Sequence, residues 1–454
     1  MWGFVFHMFS KLIVSNTLSN LRNISKKYYV DENSFLYTKK LTAENTAGII
    51  LNNNGTNINS QARHFIKRIN NNWFTTVSGS AFCQRRQQLC SELFKDENYK
   101  LIHRVYKELN HLHKYKGKTL LAADTSIITL SNHTTTKEKF GYKSKIDAKN
   151  IIPRARISCI TDTLTNMIVS ADINVEASSE PKMAINQINE LKNIIDLPNS
   201  ILMGDRGYDS IEMMINIIEH KSYFIIRLKD STFKKERKNI TKDDEYIWIN
   251  MTKQRLKNVD NNEIKEKYQK EGRIKLRIVR VPLKTDEQDE NDDTPKEEYL
   301  ITNLPKEIAP YEDFKELYNH RWSVETEFDR LKNIQEIENF SGRKEICIKQ
   351  DFYAKILTYN MTMALKQDGE RYMTRKISKN NKRRYQINTS TALSLFKDIL
   401  IVLLRQTEEF RQSLLEFCTF EMIQDLSSSL IDPPSTERIV KDITNKFPGN
   451  IKRA

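Results

Sequence analysis

The sequence predicts a mixed α/β protein: a sheet covered by helices, with further helical regions before and after it. Glycine is scarce, at 12 of 454 residues, well below the roughly 7% of an average chain, and this favours helix. Residues 60–113 and the stretch beyond 351 repeat their apolar positions at helical spacing. Between them, short β-branched runs alternate with helical patterns, the texture of a sheet layered with helices. The length suits two to four domains at roughly 100–200 residues each, and no stapling device is needed to build a core.

Residues 1–57 are rich in Asn, Ser and Thr with weak periodicity, so a loosely ordered extension is expected. In 58–116, Phe65, Ile66, Ile69, Phe82, Leu89, Leu93, Phe94, Ile102, Val105 and Leu109 fall at helical spacing. Arg63, Lys67, Arg68 and the pair Arg85–Arg86 stand between them. This predicts a small helical domain with basic exposed faces. It reads either as a DNA-end-binding head gripped by Arg85 and Arg86, or as a solvated helical cap.

The first part of the core is expected over 117–228. Residues 119–130 (TLLAADTSIITL), 155–161 and 167–175 read as three strands in hairpin order, the last two joined by the turn-like DTLTN. A helix over 179–193, a strand over 200–203, the run GDRGY, a helix over 210–221 and a strand over 223–228 follow. Residues 229–296 break the rhythm with heavy charge, alternation at 246–249 and 274–281, and an acidic run at 286–293. They predict a β-rich insertion with a floppy acidic loop. The second part of the core, 297–345, opens with a strand at 297–303 and continues with a long helix over 311–333. The remainder, 346–454, reads as helices at 352–367, 392–404 and 408–423, the first two separated by a basic connector at 375–384.

Lys plus Arg number 73 against 59 Asp plus Glu, a net charge of +14, which suits a polyanionic partner such as nucleic acid. Neither G-x-x-x-x-G-K-[ST] nor G-x-G-x-x-G occurs, so the sequence offers no P-loop or dinucleotide site. Five scattered cysteines without a C-x-x-C pair argue against zinc and disulfides and fit a reducing compartment. His111 and His113 lack partner cysteines and read as a solvated helix end or loop. No apolar stretch reaches the roughly 18 residues of a membrane span. His7 and Lys11 interrupt the mildly apolar start, so no signal peptide is expected and a cytoplasmic, DNA-associated protein is.

Two acids stand out. Asp124 lies inside an apolar strand, where an unpaired charge is costly and calls for a cation, a hydrogen-bond network or a metal. Asp205 ends a strand, where open α/β sheets present ligand sites, although a strand-end Asp also serves as a turn residue. Tyr318, Arg321, Glu325 and Lys332 fall, at about 100° per residue, on a helical stripe about 60° wide. Leu317, Val324, Phe328 and Leu331 form the adjoining apolar flank. The stripe reads equally as an exposed face with i,i+4 pairs such as Arg321–Glu325. Three carboxylates can hold two divalent ions roughly 3.5–4 Å apart for in-line displacement at a phosphodiester. Oxygen-only ligation favours Mg²⁺ or Mn²⁺, and Arg321 and Lys332 suit phosphate.

The run Tyr318-x2-Arg321-x3-Glu325-x6-Lys332 resembles the Y-R-E-K signature of DDE transposases of insertion-sequence family four. Asp124 in AADTS and Asp205 in GDRGY resemble that family's first and second catalytic aspartates. YFIIRLK, LITNL and SAFCQRRQQL stand in family order, and the likeness extends over residues 60–430. The resemblance implies an RNase H-like core, interrupted by a β insertion before the helix that carries Glu325. It implies metal-dependent cleavage and strand transfer at transposon ends, with Asp124, Asp205 and Glu325 holding two Mg²⁺ or Mn²⁺ ions. Tyr318, Arg321 and Lys332 would bind phosphates near the cut. In relatives with the insertion, cleavage passes through a DNA hairpin and an insertion Trp stacks on distorted DNA. Trp248 is the candidate here, a strand-core Trp being the alternative. Implied partners are double-stranded DNA, as inverted-repeat ends and target, and a second copy in a synaptic homodimer. Two other functions stay open: a non-catalytic DNA-binding regulator or domesticated remnant, and an RNase H-like repair nuclease without end specificity.

Overall fold

Eight strands build one sheet: β1 (Thr119–Thr129), β2 (Arg154–Asp162), β3 (Met167–Val175), β4 (Ser200–Gly204), β5 (Tyr223–Arg227), β6 (Asp244–Asn250), β7 (Arg273–Pro282) and β8 (Glu297–Thr302). The computed structural model describes residues 9–37, 39–53, 55–141, 152–238, 240–282, 297–373 and 383–430. The strand order is β3-β2-β1-β4-β5-β8-β7-β6. β1, β4 and β5 run parallel, and the other pairings are antiparallel. Asn166, at φ 58°, makes the tight turn between β2 and β3, a left-handed position that Asn tolerates better than most residues. Every residue of β4 is buried, as expected of a parallel strand covered on both faces.

The helices are α1 (Phe9–Arg22), α2 (Ala43–Leu51), α3 (Ile58–Ile69), α4 (Gly79–Arg85), α5 (Glu92–Glu108), α6 (Thr134–Phe140), α7 (Glu180–Leu191), α8 (Ile211–Glu219), α9 (Lys234–Arg237), α10 (Asn262–Glu271), α11 (Phe314–Asn319), α12 (Ser323–Asn333), α13 (Glu345–Met373), α14 (Thr389–Arg405) and α15 (Glu408–Gln424). α7 and α8 are the crossovers that let β1, β4 and β5 run parallel. α13, about 43 Å long at 1.5 Å per residue, is buried along most of its length. None of the described helices is long and apolar enough to cross a membrane.

Several expectations need correction. The chain before residue 58 is not a loose extension: α1 buries Ile13, Val14, Leu18 and Leu21, and α2 buries Ile49 and Ile50. Its polar composition conceals this because Ser10, Ser15 and Thr17 are buried as well. Such short side chains allow close helix packing, and the Thr17 hydroxyl donates back to the Ile13 carbonyl at 3.0 Å. The Ser10 amide donates to Asp368 Oδ2 at 2.8 Å, and Lys11 pairs with Glu416 at 2.5 Å.

The β-rich segment does not stand apart from the core. β6 pairs with β7 and β7 with β8, so it extends the central sheet. Alternation in EYIWIN buries Ile247 and Ile249 and leaves Trp248 49% exposed, which excludes the strand-core alternative for that residue. The acidic run at 286–293 lies outside the described residues. So do 375–382 of the basic connector, which ends in β9 (Arg383–Ile387), paired antiparallel with β10 (Leu426–Leu430).

Arg86 does not lie on an exposed basic face. A 3₁₀ turn, Arg86–Gln88, follows α4, and the guanidinium is fully buried against α13. It donates to Asp351 Oδ1 at 2.8 Å, Gln350 Oε1 at 2.9 Å, Ser341 Oγ at 2.5 Å and the Cys347 carbonyl at 3.1 Å. Its donors are thus matched by acceptors within the fold, and DNA cannot reach them. Arg85 points the other way, donating to Gln88 Oε1 at 3.0 Å and to the Tyr37 carbonyl at 2.8 Å. His111 is not in a solvated loop either, because its Nε2 lies 3.1 Å from the buried Asp368 Oδ1.

Breaking a buried pair strands its partner's charge. Arg86→Ala should therefore lower unfolding stability by about 3–5 kcal/mol in chemical denaturation, while Arg85→Ala stays within about 1 kcal/mol of wild type. Equal stability of the two variants would refute this role for Arg86.

Candidate active site

Residues alternate across a strand, so Leu120, Ala122, Asp124 and Ser126 share one face of β1. The parallel register pairs Ala122 with Met203. Continued two residues beyond the end of that pairing, the register brings Asp124 level with Asp205, one strand spacing of about 4.8 Å away. Asp124 is half-buried, and its Oδ1 accepts the Thr125 amide at 2.7 Å. Burial, with the negative charges of Asp205 and Glu325, pushes its carboxyl from the usual 3.8 up to about 7, against the lowering effects of the Thr125 amide and Arg321.

Asp205 leaves the end of β4 and caps the 3₁₀ turn Arg206–Tyr208, accepting the Gly207 amide at 2.7 Å. A Cβ at 207 would sit 2.8 Å from Glu180 Oε2 and 2.9 Å from Asp205 Oδ1, so a larger residue there would displace both carboxylates. Beneath this turn Tyr208 is fully buried.

The helix expected over 311–333 is tightened in its middle: α11 passes into a 3₁₀ turn, His320–Trp322, and then into α12. A 3₁₀ turn has about 3.0 residues instead of 3.6, so the expected stripe is twisted at Arg321. Tyr318 and Arg321 are 5% and 4% exposed, whereas Glu325 is half-buried. The flank Leu317, Val324, Phe328 and Leu331 is buried as expected. Burial raises the Tyr318 hydroxyl above its ordinary range. Tyr318 Oη and Arg321 Nε are buried without hydrogen-bond partners among the described residues. Arg321 Nη1 and Nη2 lie 3.4 Å from Glu325 Oε1, looser than the roughly 2.7–2.9 Å of a close charge-assisted bond. The Arg321 guanidinium also covers the Trp322 ring at 4.3 Å.

Lys332 donates to Ser126 Oγ at 2.6 Å and to the Ile127 carbonyl at 3.2 Å. This seats α12 across the face of β1 that carries Asp124. The fold thus gathers Asp124, Asp205, Glu325, Tyr318 and Arg321, with Lys332 about 10 Å further along the helix from Glu325. It does not bring in Trp248. That residue is on β6, four strands from β4, or about 19 Å at strand spacing, and lies under Arg273 at 4.3 Å. Arg85 belongs to the N-terminal helices.

Two residues escaped the sequence reading. Glu327, 1% exposed, meets Arg330 and the Tyr359 hydroxyl, and burial raises its carboxyl. It fastens α12 to α13 on the flank away from Glu325. The signal was an i,i+3 Glu–Arg pair set among Phe328 and Leu331 on the apolar side. Trp322, 44% exposed, lies inside the signature itself. Among the described residues no three His, Cys, Asp or Glu side chains close into a metal cage.

Residues 115–361 match the family model described as the transposase DDE domain, which is more than half of the chain. The chain belongs to the DDE transposase family. A curated relative of this chain, transposase InsG for insertion sequence element IS4 of Escherichia coli strain K12, is 21% identical over 293 residues. The match covers 63% of this chain and 60% of InsG, so the chain spans about 60% of that relative's length. It agrees with the signature's likeness to insertion-sequence family four. A solved structure, the piggyBac transposase synaptic complex with hairpin DNA, is similar at TM-score 0.44 and 10% identity, covering 91% of this chain and 86% of that one. The family match contains Asp124, Asp205, Trp248, Tyr318, Arg321, Glu325 and Lys332; Arg85 and Arg86 precede it.

The Asp124 carboxyl holds its proton to about pH 7 in the folded chain, against about 4 in an unfolded one. Between those values the folded state binds more protons, so this group's contribution to stability falls as pH rises through that window. Without divalent ions, Asp124→Asn should melt a few degrees above wild type at pH 8, an advantage that fades toward pH 4. Melting curves that superimpose at pH 8 would contradict this account of Asp124.

Proposed function

We propose that this DDE transposase cuts and rejoins DNA at transposon ends by metal-dependent phosphodiester hydrolysis and strand transfer, with Asp124, Asp205 and Glu325 as its catalytic and metal-binding residues. The observation that carries the proposal is the convergence of three acids. The β1–β4 register leads to Asp124 and Asp205 on neighbouring strands, and α12, seated on Ser126 by Lys332, brings Glu325 near them. There burial and the other two charges push the Asp124 carboxyl up. Three acids far apart in the chain share one electrostatic field, which a divalent cation would relieve. In donor chemistry the three carboxylates suit Mg²⁺ or Mn²⁺, since they offer oxygen alone, although among the described residues they do not close into a cage. Two bound ions would supply an activated water or 3′-hydroxyl and stabilise the leaving oxygen.

The chain's own groups have separable tasks. Asp124 and Asp205 present carboxylates from the sheet, and Glu325 from α12. Tyr318 Oη and Arg321 Nε, buried donors without partners among the described residues, are suited to receive phosphate oxygens. Lys332 serves the same backbone from its seat on Ser126. Trp248, exposed beside Arg273, offers a ring to distorted DNA in a hairpin route. The order β3-β2-β1-β4-β5, with its parallel β1, β4 and β5, supports an RNase H-like core. Two copies, one for each DNA end, are the proposed assembly, with Val402 and Phe410 exposed on α14 and α15 as candidate contacts.

A second reading is a DNA-binding regulator that does not cut. It is favoured by the contact of Glu325 with Arg321. Incubation with Mg²⁺ and DNA carrying the element's inverted repeats separates the two. The wild type should nick the ends and stop nicking in EDTA. Asp205→Asn should bind normally and lose more than the roughly 100-fold that removal of a supporting ligand partner costs. Undiminished nicking by Asp205→Asn would overturn the catalytic assignment, and binding without any product in the wild type would establish the regulator.

A further inference from the structure

Among the described residues of the N-terminal region, the most exposed aromatic side chain sits on a loop tip. Phe74 is 97% exposed and Trp73 67%, in the segment NNNWFTT between α3 and α4. The tip is held in place. Asn71 adopts a left-handed conformation at φ 50°, and the Asn72 amide donates back to the Lys67 carbonyl at 3.0 Å. This closes α3 and turns the chain outward. The Phe74 amide then donates to Asn72 Oδ1 at 2.9 Å, a local turn that projects both rings into solvent. Lys40 ties the neighbouring loop to this one through the Thr76 carbonyl at 3.2 Å. That loop carries Tyr37, which is also well exposed.

Two basic clefts adjoin this loop, one at Trp73 and one at Val77 just after it. One cleft, of about 580 Å³, is lined by Tyr37, Lys39, Lys40 and Arg85 among others. A second, of about 210 Å³, is lined by Lys67, Arg68, Trp73 and Arg405. None of Lys39, Lys40, Lys67, Arg68, Arg85 and Arg405 forms an ion pair among the described residues. The next cleft along adds Lys397 and one acid, Asp398. Concentrated unpaired positive charge around two projecting rings suits a polyanion that also has flat faces to stack.

We propose that this face is a DNA-docking surface separate from the three acids. The six cations track phosphates, while Trp73 and Phe74 lie against bases at an unstacked or single-stranded step. The assignment rests on the reading that the chain acts on DNA, and it moves the head's DNA contact from the buried Arg86 to Arg85 and this neighbouring face.

The test uses the full chain in EDTA, so that no cutting occurs, with a fluorescent 30-base-pair duplex, intact or carrying a three-nucleotide gap, read by anisotropy. Trp73→Ala/Phe74→Ala should weaken binding to the gapped duplex by roughly 10-fold or more, in line with stacking losses per base. Lys67→Ala/Arg68→Ala/Arg405→Ala should reduce the slope of log affinity against log salt by about 2–3. A control, Lys257→Ala/Lys265→Ala/Lys270→Ala, should leave that slope unchanged. Unaltered melting temperatures would show that the exposed substitutions leave the fold intact. If the wild type binds DNA and both variants bind identically, this surface is wrong while the DNA reading stands. A wild type that binds neither duplex overturns both. Variants that lose self-association in sedimentation but keep wild-type DNA affinity would assign the face to a second copy and overturn the proposal.

Discussion

The parallel pairing of β1 with β4 is the constraint on which the site depends. Parallel neighbours cannot be joined by a tight turn, so the chain makes β2, β3 and α7 before returning beside β1. That detour brings residues 124 and 205 to one level of the sheet. The register then sets two carboxylates close together in a half-buried place, where like charges repel and hydration is reduced. The elevated Asp124 carboxyl records that tension. α12 adds Glu325 to the same field, and the Lys332–Ser126 bond limits how far the helix can slide across the strand. A shift of one residue in the β1–β4 pairing would turn one aspartate to the opposite face.

α13 supports this arrangement from behind. It carries a series of buried polar side chains, each matched by a different part of the molecule. Asp351 takes Arg86, Tyr353 donates to Asp172 at 2.7 Å, Tyr359 meets Glu327, and Asn360 donates to Asn98 and to the Ile168 carbonyl, both at 2.7 Å. One helix thereby holds the N-terminal helices, the β3 edge of the sheet and α12. Buried polar groups of this kind are costly when unmatched and restrictive when matched, so the helix has few alternative seats.

Much of this was readable in the sequence because local pattern and tertiary role coincide. The β-branched run around Asp124, the break at GDRGY and the spaced Tyr318, Arg321, Glu325 and Lys332 each follow a local rule, and the fold gathers all six residues into one region. What escaped depended on distant partners. Arg86 follows Arg85 and looks like a surface cation until Asp351, 265 residues away, is folded onto it. α1 looks like a polar tail because partners of its buried polar groups, Asp368 for the Ser10 amide and Arg411 for the Ser15 carbonyl, lie more than 350 residues on. The 3₁₀ turn at Arg321 carries no Gly or Pro to announce it. Strand pairing across the β-rich segment was invisible for a similar reason: alternation predicts β6 and β7 but not the sheet they join.

The bond from the Ser10 amide to Asp368 spans 358 residues. At a synthesis rate of about 5–20 residues per second, the first helix leaves the ribosome roughly 20–70 s before its acceptor exists. During that interval α1 can pack on α2 and α5, which are made early, but not on α13, α14 and α15. The opening helix is thus only partly covered until then, and the finished shape can lock only near the end of translation.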